Sequence, residues 1–260
     1  MNVFITGASS GIGEALASVY AARGATLGLF ARRDNELARV KAALAPASVC
    51  TYAGDVRDPA ALVSAAQDFI ARTGAPDVVI ASAGVSRGTL TSHVEDLPVF
   101  RAVFDTNVFG MVATFQPFVA PMREAKRGVL AGIASIAGFR GLPGAGAYSA
   151  SKAAAIAYLE SLRVELRGSG VDVVTICPGF IDTPMTERNP YRMPFLMEAD
   201  VAARKIAMAI DRRKKFYVLP WQMGVLGRAL KAAPRSLYDR AVANRPHKPR
   251  SPIGDGDGDG

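Results

Sequence analysis

Short runs rich in Val, Ile and Leu alternate with longer, Ala-rich stretches from the start of the chain to about Leu219. Runs that are apolar at consecutive positions are typical of strands buried on both faces of a parallel sheet. Seven strands are predicted, at Val3–Thr6, Thr26–Ala31, Ser48–Tyr52, Val78–Ala81, Gly128–Ile133, Val171–Cys177 and Lys215–Leu219. The stretches between them predict helices at Gly11–Arg23, Asp34–Leu44, Pro59–Thr73, Val103–Lys126, Ser149–Gly168 and Ala199–Asp211.

Helical crossovers of this length connect parallel strands with right-handed topology. We therefore expect an α/β fold: a doubly wound, seven-stranded parallel sheet between two layers of helices. No repeat or linker interrupts residues 1–220, so this range is expected to be one domain. Residues 221–250 are expected to form a basic, helical C-terminal extension. Residues 251–260 end in Gly-Asp repeats without apolar groups and are expected to be disordered.

Composition narrows the possible classes of protein. Half of the 260 residues are hydrophobic, which excludes overall disorder, and no apolar run reaches the roughly 18 residues that span a bilayer. The apolar stretch that begins at Val3 leaves no room for a leader. The two cysteines, Cys50 and Cys177, form no disulfide framework and no metal-binding spacing. These features favour a cytoplasmic protein without a metal site.

The net charge of +8 is concentrated near the C-terminus. Residues 1–200 hold 18 basic and 18 acidic residues, whereas residues 201–250 hold 13 basic and 2 acidic residues. The function of the first 200 residues therefore does not depend on a large positive electrostatic field. Nucleic acid is not expected as a partner, because no binding motif accompanies the basic segment.

A glycine-rich segment joins the first strand to the first helix, and it reads Thr6-Gly7-Ala8-Ser9-Ser10-Gly11-Ile12-Gly13. Glycines at this point let the backbone turn tightly and approach a pyrophosphate, whose charge then meets the free N–H groups at the helix start. The alternative is a glycine-rich turn without a ligand. The preceding strand, the following helix and the place in the first βα unit favour binding of a dinucleotide.

The spacing TGxxxGIG resembles the short-chain dehydrogenase/reductase family, and the resemblance extends over residues 2 to about 220. Further motifs occur in the family's order: Asp55-Val56, Asn107, Ser135, Tyr148-Ser149-Ala150-Ser151-Lys152 and Pro178-Gly179-Phe180-Ile181-Asp182-Thr183. The resemblance implies a Rossmann-like fold and an oxidoreductase that transfers hydride between a nicotinamide cofactor and a carbonyl or secondary alcohol. One departure is Ser82, which stands where the family commonly has asparagine.

The resemblance also implies which residues contact the cofactor. Asp55 and Val56 would contact the adenine, while Thr183 and the backbone of Ile181 would hold the nicotinamide carboxamide. The complete implied set is Gly7, Ser9, Ser10, Gly11, Ile12, Gly13, Arg32, Arg33, Asp55, Val56, Ala83, Gly84, Tyr148, Lys152, Pro178, Gly179, Ile181 and Thr183.

The end of the second strand predicts which cofactor is bound. Dinucleotide folds that select NAD tend to place an acidic residue there, but this chain has Arg32 and Arg33. Two guanidinium groups suit a 2′-phosphate, so NADP(H) is predicted. Alternatively, both arginines are a solvated flank of the next helix, whose cap we take to be Asp34.

Four residues are predicted to be catalytic. Tyr148 and Lys152 are four positions apart, so on a helix they share a face. An ammonium beside a tyrosine favours the phenolate, which suits Tyr148 to proton transfer. By resemblance, Ser135 positions the substrate oxygen, Lys152 holds the nicotinamide ribose, and Asn107 bends its helix and anchors a water of the proton relay. The alternative is a cofactor-bound scaffold or sensor with vestigial catalysis.

Other segments predict the substrate and partners. The stretch 182–198 is rich in Met, Pro and Phe, and Phe139–Ala147 has one charge, so a lipophilic substrate is favoured unless these side chains only pack on the domain.

The helices Asn107–Lys126 and Ser149–Gly168 are expected to form a homodimer, by family resemblance. A helix from Trp221 would carry apolar and basic faces, which indicates either a peripheral membrane contact or a solvated face packed on protein. The membrane contact makes a membrane-surface adaptor a further alternative function.

Overall fold

The computed structural model describes residues 1–187, 189, 192–243 and 247–250. Its strands are β1 Asn2–Thr6, β2 Thr26–Ala31, β3 Val49–Ala53, β4 Val78–Ala81, β5 Gly128–Ile133, β6 Val171–Pro178, β7 Ile181–Asp182, β8 Met197–Glu198 and β9 Phe216–Leu219. Its α-helices are α1 Gly11–Ala21, α2 Asp34–Ala43, α3 Pro59–Thr73, α4 Asp96–Phe104, α5 Gly110–Glu124, α6 Gly146–Glu165, α7 Pro184–Glu187, α8 Ala199–Asp211, α9 Trp221–Ala232 and α10 Arg235–Val242.

Seven strands form one parallel sheet in the order β3-β2-β1-β4-β5-β6-β9. Every residue of β4 and β5 is buried, as expected for strands covered on both faces. Helices α1, α2 and α8 cover one face, and α3, α5 and α6 cover the other. The predicted single-domain, Rossmann-like sheet is confirmed, and its topology brings the loops after β1, β4, β5 and β6 to one edge.

The structure corrects the predicted middle helix. It begins at Asp96 instead of Val103, contains a π-helical turn at Asp105–Phe109, and continues as α5. Pro98 lies in the first turn of α4, where its missing N–H removes no helical hydrogen bond, so the proline does not exclude a helix there. Helix α6 begins three residues earlier than predicted, which places Tyr148 in its first turn.

Helix α9 of the C-terminal extension begins at Trp221 as expected, but several of its large apolar side chains do not face the domain. The buried residues are Met223, Gly224 and Gly227, whereas Trp221 is 71% exposed and Val225 is 56% exposed. A side-chain pattern misses this face, because glycines contribute by letting the helix approach closely. A Cβ on Gly227 would lie 2.5 Å from the Phe139 ring.

Several predicted features of the C-terminal part differ or lie outside the described residues. Helix α10 was not predicted, and its buried Tyr238 donates a hydrogen bond to the Gly141 carbonyl. Helix α9 ends at Ala232, and Ala233 is its C-cap residue. The tail 251–260 and positions 190 and 191 of the apolar segment are outside the described residues.

Candidate active site

A cavity of about 630 Å³ opens at the carboxyl ends of the central strands. All the residues predicted to contact the cofactor line it, together with Ser135. The loops that contribute these residues come from six positions along the chain, and the parallel sheet brings them to one edge. A cavity of this size is typical of cofactor and small-molecule sites.

The glycine-rich turn forms one wall of the cavity and has the backbone that only glycine allows. Gly7 has φ +67°, and a Cβ there would lie 2.7 Å from the Ala83 backbone. A Cβ on Gly13 would lie 2.1 Å from the Gly7 carbonyl oxygen. The Ser10 side chain does not cap α1, so the first-turn amides remain directed at the cavity. This wall can accept a phosphate group.

Arginines line the part of the cavity that is next to the glycine-rich turn. The Arg33 guanidinium lies 3.3 Å from Ser9 Oγ and 3.4 Å from Ser10 Oγ, beside the glycine-rich turn. Arg32 is exposed but also lines the cavity. The proposed cap is wrong: α2 begins at Asp34, and its N-cap residue is Arg33, which makes no side-chain cap.

Sequence analysis missed Arg39, which also lines this end of the cavity. Arg39 contacts the Ser9 carbonyl at 3.3 Å and forms ion pairs of 2.8 Å with both Glu14 and Glu36. Its single positive charge is therefore shared between two carboxylates beside the glycine-rich turn. Arg39 lies outside the strand-end pattern that singled out Arg32 and Arg33, so no motif marked it.

Asp55, which is predicted to contact the adenine, lines the cavity together with Val56 and the glycine turn. Burial alone would raise the pKa of its carboxyl, but hydrogen bonds from the Arg57 side chain and backbone lower the pKa overall. Both Asp55 oxygens accept bonds from Arg57, at 2.6–2.9 Å. The group is thus held ionised, as an acceptor for a donor such as an amino group.

Tyr148 and Lys152 face the cavity from adjacent turns of α6. The Lys152 ammonium lies 5.8 Å from the centroid of the Tyr148 ring and donates to the Ile133 carbonyl at 2.8 Å. Lys152 is only 4% exposed, and this burial lowers its pKa from 10.5 to about 8. A proton-carrying amine therefore stands beside the phenol at neutral pH.

Ser135 follows the end of β5 and is 8% exposed. Its Oγ accepts a hydrogen bond of 3.1 Å from the Ala137 N–H, which caps the short turn Ile136–Gly138, and lies 3.5 Å from the Pro178 carbonyl. The hydroxyl is thereby held in one orientation at the cavity wall. The structure thus brings Ser135, Tyr148 and Lys152 together around one space.

Asn107 lies behind the cavity wall, in the π-helical turn, and is fully buried. Its amide bonds to the Val85 backbone and donates to Ser151 Oγ at 3.0 Å. A Cβ on Gly84 would lie 3.2 Å from Asn107 Oδ1 and 3.5 Å from Lys152 Nζ, so both side chains pack close to Gly84. Among the described hydrogen bonds, none joins Asn107 to Lys152 directly.

The apolar segment after β7 contributes Met185 to the cavity wall. Phe195 and Leu196 of the same segment are 52% and 46% exposed. On another side, the cavity is lined by Ser86 and by residues 248–250, which sequence analysis did not connect with the site. Lys248 Nζ donates to Ser86 Oγ at 2.6 Å although the two residues are 162 positions apart.

Comparison with known proteins identifies the family of the chain. The model of the short chain dehydrogenase family matches residues 1–192. An uncharacterized oxidoreductase of Myxococcus xanthus (strain DK1622) is 41% identical over 242 residues, which cover 92% of this chain and 94% of that protein. The 11-beta-hydroxysteroid dehydrogenase 1A of Arabidopsis thaliana is 37% identical over 188 residues, which cover 71% of this chain and 53% of the relative, about half its length.

A solved structure extends the comparison to almost the whole chain. The short chain dehydrogenase/reductase of Burkholderia phymatum in complex with NAD matches with a TM-score of 0.81 and 25% identity, and the match covers 96% of this chain and 97% of that one. The chain belongs to the short-chain dehydrogenase/reductase family. It is an oxidoreductase that acts on alcohol or carbonyl groups, a class that uses nicotinamide cofactors.

Two further findings, on membrane-spanning helices and on metal-binding groups, apply to the described residues alone. No described helix combines the length and the apolar character needed to cross a bilayer. Within the same residues, no group of three or more His, Cys, Asp or Glu side chains is arranged to hold a metal ion.

Proposed function

We propose that the protein is an NADP(H)-dependent oxidoreductase that interconverts a carbonyl and a secondary alcohol on a substrate with an apolar body. The observation that carries this proposal is the position of Tyr148 and Lys152. Both face a 630 Å³ cavity from adjacent turns of one helix, and the other end of that cavity is rich in arginine. The site thus joins a proton donor to a place for an anionic cofactor.

The chain's own residues would handle the proton and the substrate oxygen. In reduction, the Tyr148 hydroxyl donates its proton to the substrate carbonyl oxygen, and in oxidation it accepts the proton from the alcohol. The Ser135 hydroxyl bonds to the same oxygen and fixes its position. The Lys152 ammonium favours the ionised form of Tyr148. When bound, the cofactor supplies or accepts the hydride.

The wall around the glycine turn fits a dinucleotide, and its charge supports NADP(H). Gly7 and Gly13 leave the space that a pyrophosphate needs, and Arg33 lies above Ser9 and Ser10. Forked guanidinium donors match phosphate oxygens. Glu14 and Glu36 would oppose a 2′-phosphate, but Arg39 is paired with both of them.

The lining around the reacting end supports an apolar substrate body. Met185 and the backbone of Pro178–Gly179 line the cavity there, and methionine side chains adapt to apolar ligands of varied shape. The relative named as a hydroxysteroid dehydrogenase acts on a substrate of that kind, as its name states. This supports the proposal of a lipophilic alcohol or ketone.

The test is a screen of NADPH oxidation over carbonyl compounds graded in size and polarity, followed by the Tyr148→Phe variant. Tyr148→Phe keeps the ring and removes the proton donor, so turnover should fall by about 10²-fold or more. NADPH binding should persist, which separates lost chemistry from lost folding. Unchanged turnover in this variant would rule out the mechanism.

For its assembly, we propose a homodimer that forms through helices α5 and α6. Ala153 and Ala157 are exposed on α6 and allow a close approach of helices, and Val164 is 61% exposed on the same helix. A dimer mass in light scattering at micromolar concentration is the expected result, and a monomer would contradict it.

We also propose the cytoplasm as the location, since Cys50 and Cys177 are both free thiols.

A second candidate function is peripheral binding to anionic membranes through α9. Trp221, Val225 and Leu226 are exposed together on this helix, and Arg228 and Lys231 are exposed beside them. Apolar insertion and basic attraction act together at such surfaces. Co-sedimentation with vesicles of rising anionic lipid content tests it: Trp221→Ala/Arg228→Ala should weaken binding, and failure of the native protein to sediment at low salt would exclude it.

A further inference from the structure

The last described segment is His247–Arg250, which we call the strap, and its residues 248–250 line the cavity. Arg250 forms a parallel β-bridge with Gly88. Lys248 extends into the cavity, where its ammonium donates to Ser86 Oγ at 2.6 Å and lies 5.9 Å from the centroid of the Tyr148 ring. The strap therefore brings a positive charge beside the proposed proton donor.

Two glycines on separate loops make room for the backbone of the strap. A Cβ on Gly88 would lie 1.9 Å from the Pro249 carbonyl oxygen. A Cβ on Gly144 would lie 2.7 Å from the Lys248 carbonyl oxygen, and Gly144 has φ +73°. The two loops are joined next to the strap, where the Thr89 N–H donates to the Gly144 carbonyl at 2.9 Å. Together, the two loops form a groove that accommodates the backbone of the strap.

An ion pair holds the end of the strap in place. Arg250 binds both oxygens of Asp96, at 2.7 and 2.9 Å. The Asp96 side chain is 4% exposed and also accepts a bond from the Leu90 N–H at 2.7 Å. A buried carboxylate needs such a counter-charge, because desolvation without one is unfavourable. The strap is therefore an anchored part of the site, and Lys248 is held at a defined place.

Anchoring explains Arg250, Gly88 and Gly144, but it does not require an ammonium group at position 248. We propose that Lys248 determines substrate specificity by binding a carboxylate on the carbonyl or alcohol substrate, close to the reacting oxygen. This inference rests on the proposed function and refines it to a substrate with an apolar body and one anionic group. The Lys248 ammonium donates to a neutral hydroxyl, and an ammonium group is complementary to a carboxylate. In a partly enclosed cavity such an attraction is stronger than in water.

The first test measures binding and needs no turnover. Calorimetry of the full-length protein, saturated with oxidised cofactor, compares phenylbutanoate with its neutral amide, phenylbutanamide. The native protein should bind the carboxylate about tenfold or more tightly than the amide, the ratio expected for a charge-assisted hydrogen bond. Lys248→Met should bind the two ligands alike. The control Lys41→Met removes an exposed lysine on α2 and should keep the native ratio.

The second test displaces the strap without touching Lys248. Gly88→Ala places a methyl group where the Pro249 carbonyl lies, so it should also abolish the preference for the carboxylate. Gly141→Ala is the matched control, because its Cβ would meet no atom within 4 Å, and it should keep the preference. Thermal unfolding of each variant reports whether a loss of preference comes from a loss of folding.

Three results would overturn the inference: no measurable binding of the carboxylate to the native protein, equal binding of both ligands, or a preference that survives in Lys248→Met. Failure of the proposed function is recognised separately, because it appears as turnover that persists in Tyr148→Phe. If turnover is found, kcat/KM for a keto acid against its methyl ester should change in the same way, with Lys248→Met affecting the acid alone.

Discussion

The side-chain amide of Asn107 makes two hydrogen bonds with the backbone of Val85. The Val85 N–H donates to Asn107 Oδ1 at 2.8 Å, and Asn107 Nδ2 donates to the Val85 carbonyl at 2.9 Å. The π-helical turn directs the amide at the loop after β4, which carries Ala83, Gly84 and Ser86 into the cavity. In this structure, Asn107 fixes a wall of the site.

We expect Asn107→Ala to lower the free energy of unfolding by about 2–5 kcal/mol, because the buried N–H and carbonyl of Val85 each lose their partner. Urea unfolding measures it. Thr106→Ala, in the same turn, removes a hydroxyl that donates to the Ala102 carbonyl and should lower it by less than about 1 kcal/mol. Equal losses in the two variants would mean that Asn107 does not have this role.

For cofactor selection, replacing both Arg32 and Arg33 with alanine should weaken NADPH binding by a few kcal/mol, about the contribution of charge-assisted hydrogen bonds. NADH binding should change little, since NADH has no 2′-phosphate. Arg23→Ala is the control, because Arg23 pairs with Asp211 and is not among the residues that line the cavity. Titration by nicotinamide fluorescence measures both affinities, and equal native affinity for NADPH and NADH would contradict the assignment.

Arg39 gives an independent test of the same end of the cavity. Arg39→Ala leaves the Glu14 and Glu36 carboxylates without their cation, and their repulsion of a 2′-phosphate should weaken NADPH binding at least about tenfold. The loss should shrink at high salt and be small for NADH. Restoring NADPH affinity by adding Glu36→Gln would identify repulsion as the cause.

Burial of Lys152 predicts a pH dependence of stability. Its pKa is about 8 in the folded chain against an ordinary 10.5, so between these values the unfolded chain binds the extra proton. Stability contributed by Lys152 therefore rises with pH across this window, by about 3 kcal/mol in total. Burial raises the pKa of the neighbouring Cys177 thiol to about 12, outside the window.

The measurement compares the free energy of unfolding of Lys152→Met and its parent from pH 7.5 to 10.5, both carrying Tyr148→Phe so that the phenol does not titrate. The parent should gain stability relative to Lys152→Met as pH rises. Lys41→Met, at an exposed position, should show no such trend. A constant difference between parent and Lys152→Met would show that the amine is not buried as described.

The strap anchor predicts a rescue. Arg250→Ala should lower the thermal midpoint by several degrees, because the Asp96 carboxylate loses its partner, and adding Asp96→Asn should recover part of the loss. Hydrogen bonds from Arg250 are the main cause that lowers the pKa of Asp96 to about 2. The contribution of this ion pair to folding stability is therefore complete above about pH 4 and is lost as pH falls towards 2. Additive effects of the two substitutions would mean that the groups do not interact.

The sequence determined the buried parallel strands and the shared helix face of Tyr148 and Lys152, because both follow from local periodicity. Consecutive apolar residues separated by helical crossovers specify buried parallel strands, and four positions on a helix place Tyr148 and Lys152 on one face. The glycine turn is also local, since Gly7 and Gly11 adopt positive φ angles within the turn itself. Sequence motifs can therefore identify these features without knowledge of their contacts with the rest of the chain.

The tertiary structure alone decided which distant residues complete the site. Arg250 and Asp96 are 154 positions apart, and Lys248 and Ser86 are 162 apart, so no periodic pattern relates them. Gly88 and Gly227 matter through side-chain volume that is missing, which becomes visible only when another segment packs against them. Contacts between remote segments depend on how loops close in space, and that closure is a property of the folded chain as a whole.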